Sequence, residues 1–85
     1  MKKVVLLTGA AGFVGRQILR ELLEKGILVR LVLREGCQAP CNGDRIERVI
    51  HSKNIFKEDS KWWKETCDGV DMVIHSAWYA EPGEY

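Results

Sequence analysis

No apolar stretch in this 85-residue chain approaches the roughly 20 residues that cross a bilayer, and that absence removes a membrane-spanning reading. An excess of either charge is also missing: 13 Lys and Arg against 12 Asp and Glu leave a formal charge of +1, interspersed along the chain. Nucleic-acid binding needs a basic stripe or patch, so none is expected. Cysteine stops at the odd count of three, Cys37, Cys41 and Cys67. The Cys37 and Cys41 pair has only His51 and His75 to complete the four ligands of a zinc site, and His75 falls at the end of a predicted buried strand. No metal is expected; the thiols read as free in a reducing cytoplasm, with a metal or a disulfide as the alternatives. Repeats and low-complexity segments are absent as well.

What is present is a 46% hydrophobic composition with three tryptophans, too apolar for disorder. The length suffices for one small domain, below the typical range of about 100 to 150 residues. Such a chain buries only about 60 to 65 per cent of its unfolded surface, which makes its core marginal without further support. Lys2 and Lys3, followed by a mildly apolar run to Val14, imitate a secretory signal. Glycines break that run, and Arg16, Arg20, Glu21, Glu24 and Lys25 stand where a mature chain would begin, so the chain reads as soluble and unexported.

Val4 to Thr8 is a continuous apolar run, as expected for a central parallel strand covered on both faces. An amphipathic pattern beginning near Arg16 follows, with Val14, Ile18 and Leu22 on one line, Leu19 and Leu23 beside it, and Gln17, Arg20, Glu21 and Glu24 opposite. Gly26 is its stop signal. Between strand and helix lies Thr8-Gly9-Ala10-Ala11-Gly12-Phe13-Val14-Gly15. A pyrophosphate needs backbone N–H groups aimed at it and no side chain in the way; glycines at the mouth of a helix supply both, and the helix N-terminus adds partial positive charge. Gly9, Gly12, Phe13, Val14 and Gly15 are therefore the candidate phosphate-binding residues.

Leu28 to Leu33 reads as a second buried strand, parallel to the first through a right-handed crossover. Gly36, Pro40, Asn42 and Gly43 mark a loop from Glu35 to Asp44. About a dozen residues separate the second strand from the third, so the usual crossover helix must be short or absent. Ile46, Val49 and Ile50 indicate that third strand. Asp59 or Ser60 can cap a helix through Trp62 and Trp63 to about Cys67, one tryptophan packing on the sheet and the other covering a helix edge. Val70 to Ala77 is a fourth strand, and the tail from Glu81 to Tyr85 has no regular pattern.

Gly9, Gly12 and Gly15 recur every third residue, whereas the commoner dinucleotide fingerprint is G-x-G-x-x-G. With Thr8 in front, the motif resembles the T-G-x-x-G-x-x-G signature of the extended short-chain dehydrogenase/reductase family, which includes nucleotide-sugar epimerases, dehydratases and dihydroflavonol-reductase-like enzymes. Asp71 to Ala77 resembles that family's D-x-V-I-H-x-A segment. The resemblance covers nearly the whole chain and is weakest from Cys37 to Asp59. It implies an α/β fold, the N-terminal half of a Rossmann-type parallel sheet with flanking helices and strand order 3-2-1-4.

The resemblance also assigns roles. The family's acidic ribose contact, which favours NAD, falls on Leu33 here, and the next residue is Arg34; Leu33-Arg34 looks like the ending of NADP-preferring relatives, and Val29-Arg30 fits the same branch. Glu35 is the acidic residue if the register slips by two. NADP is thus expected as cofactor, with NAD second. Asn54-Ile55, 21 residues before His75, occupies the place of an acidic-aliphatic pair that contacts adenine; Asn replaces the usual Asp, and Asp59 is the alternative if the loop is longer. Ser76 and Ala77 are small, as suits a strand end beside the nicotinamide ribose. His75 reads as a structural hydrogen-bonding residue rather than a catalyst, and Trp78 narrows the pocket or is a core aromatic.

Catalysis in the resembled family uses a Tyr-x-x-x-Lys pair, which the 85 residues do not contain: Tyr79 is followed four residues on by Gly83, and Tyr85 is last. No catalytic residue is assigned. The sequence thus reads as residues 1–85 of a partial NAD(P)-binding domain, its catalytic and substrate-binding regions absent. The parent would be an oxidoreductase or epimerase/dehydratase acting on a small carbonyl or hydroxyl substrate, the short chain itself being inactive. A stand-alone non-catalytic dinucleotide-binding or interaction module is the alternative, whose exposed strand edge would favour a homo-oligomer. A flavin-binding reductase domain fits less well, since it would show tighter glycine spacing and an acidic ribose contact.

Overall fold

The computed structural model describes residues 3–40 and 43–76. Strand β1, Val4–Thr8, is the apolar run the sequence marks, and it leads through the glycine turn into helix α1, Phe13–Glu24. The helix begins three residues before Arg16 because Gly12 takes the extended N-cap conformation and the coil starts at once. It stops at Gly26, where φ is +74°. The Gly26 N–H donates to Leu23 O and the Ile27 N–H to Leu22 O, both at 3.1 Å, the paired closure of a helix that ends on a left-handed glycine.

Strand β2, Leu28–Arg34, runs parallel to β1 with Leu7 opposite Leu31 and Thr8 opposite Val32. Strand β3, Ile46–Ser52, pairs with β2 without an intervening helix among the described residues of the connection. That loop is held by the Arg34 to Cys37 turn, with Gly36 at φ +86°, and by a 2.9 Å bond between His51 Nε2 and Cys37 O. Asp59 caps helix α2, Ser60–Thr66, its Oδ1 accepting from the Trp62 N–H at 2.8 Å. Strand β4, Met72–His75, then pairs with β1 on its free side, shorter than the predicted Val70 to Ala77. The sheet is parallel with order β3-β2-β1-β4, a Rossmann-like half-sheet as expected.

Alternation along the strands separates two faces. Leu7, Val29, Leu31 and Leu33 meet Ala10 and Leu19 beneath α1, with Ile18, Leu22 and Leu23 packed around them. Burying each such leucine contributes about 1.5 to 3 kcal/mol. Arg30 lies on the opposite face, toward α2. Val14, predicted to share the apolar line of α1, is exposed instead. The two tryptophans are both half-buried and stack edge to face on each other, centroids 4.8 Å apart.

Candidate functional site

All strands of a parallel sheet end on one edge, and here that edge gathers Thr8, Arg34, Ser52 and His75. Order 3-2-1-4 means that the chain leaves β1 toward β2 on one side and returns as β4 on the other, which opens a crevice at the carboxyl ends of β1 and β4. The glycine turn lies in that crevice. Gly9 has φ +73°, a conformation that side chains disfavour, and its carbonyl accepts from the Gly12 N–H at 3.0 Å.

Gly15 and Gly12 serve different neighbours. A Cβ on Gly15 would sit 1.9 Å from Gly9 O and 2.9 Å from Ala10 Cα, so only glycine lets the first turn of α1 press against the loop. A Cβ on exposed Gly12 would meet Gly9 O at 3.4 Å, a van der Waals contact the chain itself tolerates. What Gly12 leaves open is the approach to the helix mouth. It provides no side-chain cap, the first turn holds no acidic residue, and the N–H groups of Phe13, Val14 and Gly15 precede the first intrahelical bond, from Arg16 N–H to Gly12 O at 3.0 Å. Phe13 turns outward, 80% exposed. Uncapped N–H groups on a helix of 12 residues make a seat for an anion, and the bare backbone fits a pyrophosphate.

At the end of β2, Leu33 is buried in the core while Arg34 is exposed. Arg34 makes no side-chain hydrogen bond or ion pair among the described residues, and its backbone O accepts from the Cys37 N–H. Glu35, also exposed, is tied by its N–H to Ser52 O. Beyond β3, Asn54 Oδ1 accepts from the Phe56 N–H at 2.9 Å and starts a single 3-10 turn, Ile55–Lys57. One lone pair of that oxygen is thereby used within the chain, leaving its other lone pair and the amide N–H groups for a ligand. Ile55 is half-buried beside it. Asp59, the alternative adenine contact, caps α2 through Oδ1.

The segment after β3 crosses toward β4 and puts Phe56 against His75, ring centroids 5.6 Å apart at 82°. Thr8 Oγ1 and His75 Nδ1 share a 2.9 Å hydrogen bond, so the histidine does bond structurally. Ser76 follows, half-buried; Ala77 and Trp78 lie outside the described residues. The fold thus brings the glycine loop, the Asn54 turn and the end of β4 to one edge, with Arg34 at the end of β2 on the same edge.

The model of the NAD dependent epimerase/dehydratase family matches residues 5–85. The chain belongs to that family. Among curated relatives it is 38% identical over 74 residues to a ketoreductase of Cercospora beticola, covering 87% of this chain and 19% of that protein. It is 32% identical over 81 residues to cinnamoyl-CoA reductase 2 of Arabidopsis thaliana, covering 88% and 24%, and 28% identical over 85 residues to dihydroflavonol 4-reductase of the same plant, covering 89% and 21%. The chain therefore spans about a quarter or less of the length of these relatives. No solved structure matches it.

Membership in the epimerase/dehydratase family fits the crevice, but one arginine read as part of the cofactor pattern has another task. Arg30 is buried, 4% exposed, and faces away from α1. Its guanidinium holds both oxygens of Glu47, Nε to Oε2 at 2.8 Å and Nη2 to Oε1 at 2.9 Å, and Nη1 donates to the carbonyls of Thr66 and Asp68 at 2.7 Å. The fork closes the C-terminal end of α2 and leaves Arg30 no part in ribose recognition. The hydrogen bond from Arg30 holds Glu47 below the usual carboxylate range, and the same bond raises Arg30. A charge centred between Val29 and Leu31 in a buried strand demands a partner, the one signal in the sequence that pointed to this role.

Proposed function

We propose that this chain is the dinucleotide-binding part of an oxidoreductase or epimerase/dehydratase that acts on a carbonyl or hydroxyl group of a small molecule, with NADP preferred over NAD. The observation that carries the reading is the uncapped mouth of α1 above Gly12, a glycine the protein's own packing does not require. The backbone N–H groups of Phe13, Val14 and Gly15 bind the pyrophosphate above the bare Cα of Gly12, and Gly9 gives the turn its reversal. Arg34, exposed at the end of β2 where the adenosine ribose lies, takes a 2′-phosphate. Asn54 and Ile55 receive adenine, and Ser76 and Ala77 flank the nicotinamide ribose. When bound, the nicotinamide gives or accepts a hydride at a substrate carbon.

The relatives' names, dihydroflavonol 4-reductase, cinnamoyl-CoA reductase and ketoreductase, support reduction of a small carbonyl compound as the parent chemistry. The 85 residues contain no Tyr-x-x-x-Lys pair, so by themselves they bind without turnover. Free thiols at Cys37 and Cys67 favour a cytoplasmic setting, and among the described residues no helix is long and apolar enough to cross a membrane.

Titration of the chain with NADPH and NADH, followed by tryptophan fluorescence, tests the reading. Saturable binding that favours NADPH is expected. Replacing Arg34→Ala weakens NADPH by about tenfold or more, the worth of one charge-assisted phosphate contact, and leaves NADH nearly unchanged. A folded chain that binds neither dinucleotide removes the proposal; equal loss of both on Arg34→Ala removes the NADP preference alone.

A further inference from the structure

At the carboxyl edge of the sheet, one run of side-chain contacts joins the end of β1, the segment after β3 and the end of β4. Thr8, the last residue of β1, is fully buried and bonds His75, its register partner in β4, along one face of the sheet. The His75 ring meets Phe56 edge to face. Phe56 belongs to the turn that Asn54 caps, and that segment is closed from behind by the bond from Ser52 Oγ to Glu58 Oε2. The residue after Thr8 is Gly9, where the backbone turns left-handed. Phe56 is 46% exposed, more than filling the core would call for.

We propose that Phe56 and His75 are positioning residues that hold the glycine loop in its ligand-ready shape, linking the adenine end of the site to its pyrophosphate end. The inference rests on the dinucleotide reading above. A glycine-rich turn loses more backbone freedom on being fixed than any other segment, and a loop fixed before the ligand arrives does not incur that loss on binding. Thr8 is where strand becomes turn, so its bond to His75 sets where the reversal at Gly9 begins. Phe56 restrains the imidazole that makes this bond, since a ring edge against it favours one orientation. The pyrophosphate contacts are all backbone, which leaves side chains of this kind to set the loop's shape without touching the ligand.

The test uses the 85-residue chain, titrated with NADPH and with ADP-ribose, which carries the pyrophosphate but no nicotinamide. Wild type is compared with Phe56→Ala, Phe56→Tyr, His75→Ala and His75→Asn, and the Gly9 and Gly12 amide resonances are recorded for each without ligand. Phe56→Ala and His75→Ala are expected to weaken both ligands by roughly threefold to tenfold, the range of one aromatic edge contact. Phe56→Tyr keeps the ring and restores affinity, and His75→Asn, which can still bond Thr8 Oγ1, restores part of it. The glycine amides shift in Phe56→Ala although Phe56 lies more than 40 residues away in the chain. If Phe56→Ala does not fold by circular dichroism, Phe56→Leu replaces it, keeping apolar bulk without a ring edge. Full affinity and unmoved glycine amides in the folded Phe56 variant overturn the inference and leave the dinucleotide reading standing. A folded wild type that binds neither ligand overturns that reading and this inference together.

Discussion

A methyl group on Gly15 would overlap the Gly9 carbonyl at 1.9 Å, whereas one on Gly12 would rest against the same oxygen at 3.4 Å. The two alanine variants therefore separate folding from binding. Gly15→Ala is expected to destabilise the chain by roughly 1 to 3 kcal/mol, or to unfold it, because both clashing groups are backbone and cannot swing away. Gly12→Ala is expected to change stability by no more than about 0.5 kcal/mol, while dinucleotide affinity falls by about tenfold or more as the methyl blocks the approach of a phosphate to the helix mouth. Thermal unfolding and a binding titration on each variant check both halves; a Gly12→Ala chain that binds like wild type would show that the phosphates lie elsewhere. Glycine spacing made this loop legible. Sequence spacing did not separate the two constraints, since which glycine faces its own chain depends on the path of the Gly9 carbonyl.

Among the elements, β1, α1 and β2 follow their patterns closely because each is long enough for periodicity to count and each has a clear stop. That the crossover helix between β2 and β3 must be short or absent was legible from length alone, and none lies among the described residues of that connection. The Arg30 fork was not, because alternation places Arg30 opposite Val29 and Leu31 but says nothing of what covers that side. The covering group is the end of α2, and an irregularity between Val29 and Arg30 in the β2 and β3 register sets Glu47 against the guanidinium. The Asn54 cap escaped for a related reason: an Asn two residues before an N–H it bonds reads equally as a turn former and as a ligand contact.

That fork ties β2, β3 and α2 together, and its pH dependence has a defined sign. Glu47 is lowered from 4.5 in the fold, so the stability the pair contributes is fully present above about pH 4.5 and is lost as pH falls through the folded value. Glu47→Gln is expected to cost roughly 1.5 to 3 kcal/mol at pH 7, the range for hydrogen bonds to a charged group, since Arg30 retains its two carbonyl acceptors. The same variant flattens the fall in stability below pH 4.5. Chemical denaturation of wild type and variant from pH 3 to pH 7 measures both effects. An equal acid slope in the two proteins would place the titrating group elsewhere.

For the whole molecule, strand order followed from short connections and right-handed crossovers, which leave few ways to arrange parallel strands. The state of the sheet edges did not follow so directly, because a strand's outward neighbour is not written in its own residues. The two edges differ. On β3, Glu47 and Arg48 put charge along the border, a common guard against pairing with another chain. On β4, Met72 is 59% exposed and its neighbour Val73 47%, and since successive residues point to opposite faces, both faces of that edge carry apolar surface. An edge of this kind invites a further strand. In solution the 85-residue chain is expected to self-associate as concentration rises, with the β4 edge as the contact. Val73→Lys places a charge there and should return the chain to a monomer by light scattering, with its circular dichroism and the Thr8 to His75 bond on the neighbouring register positions unchanged. Association that persists in Val73→Lys would move the contact to another surface, whereas its loss would identify β4 as the side on which the sheet is open to a partner strand.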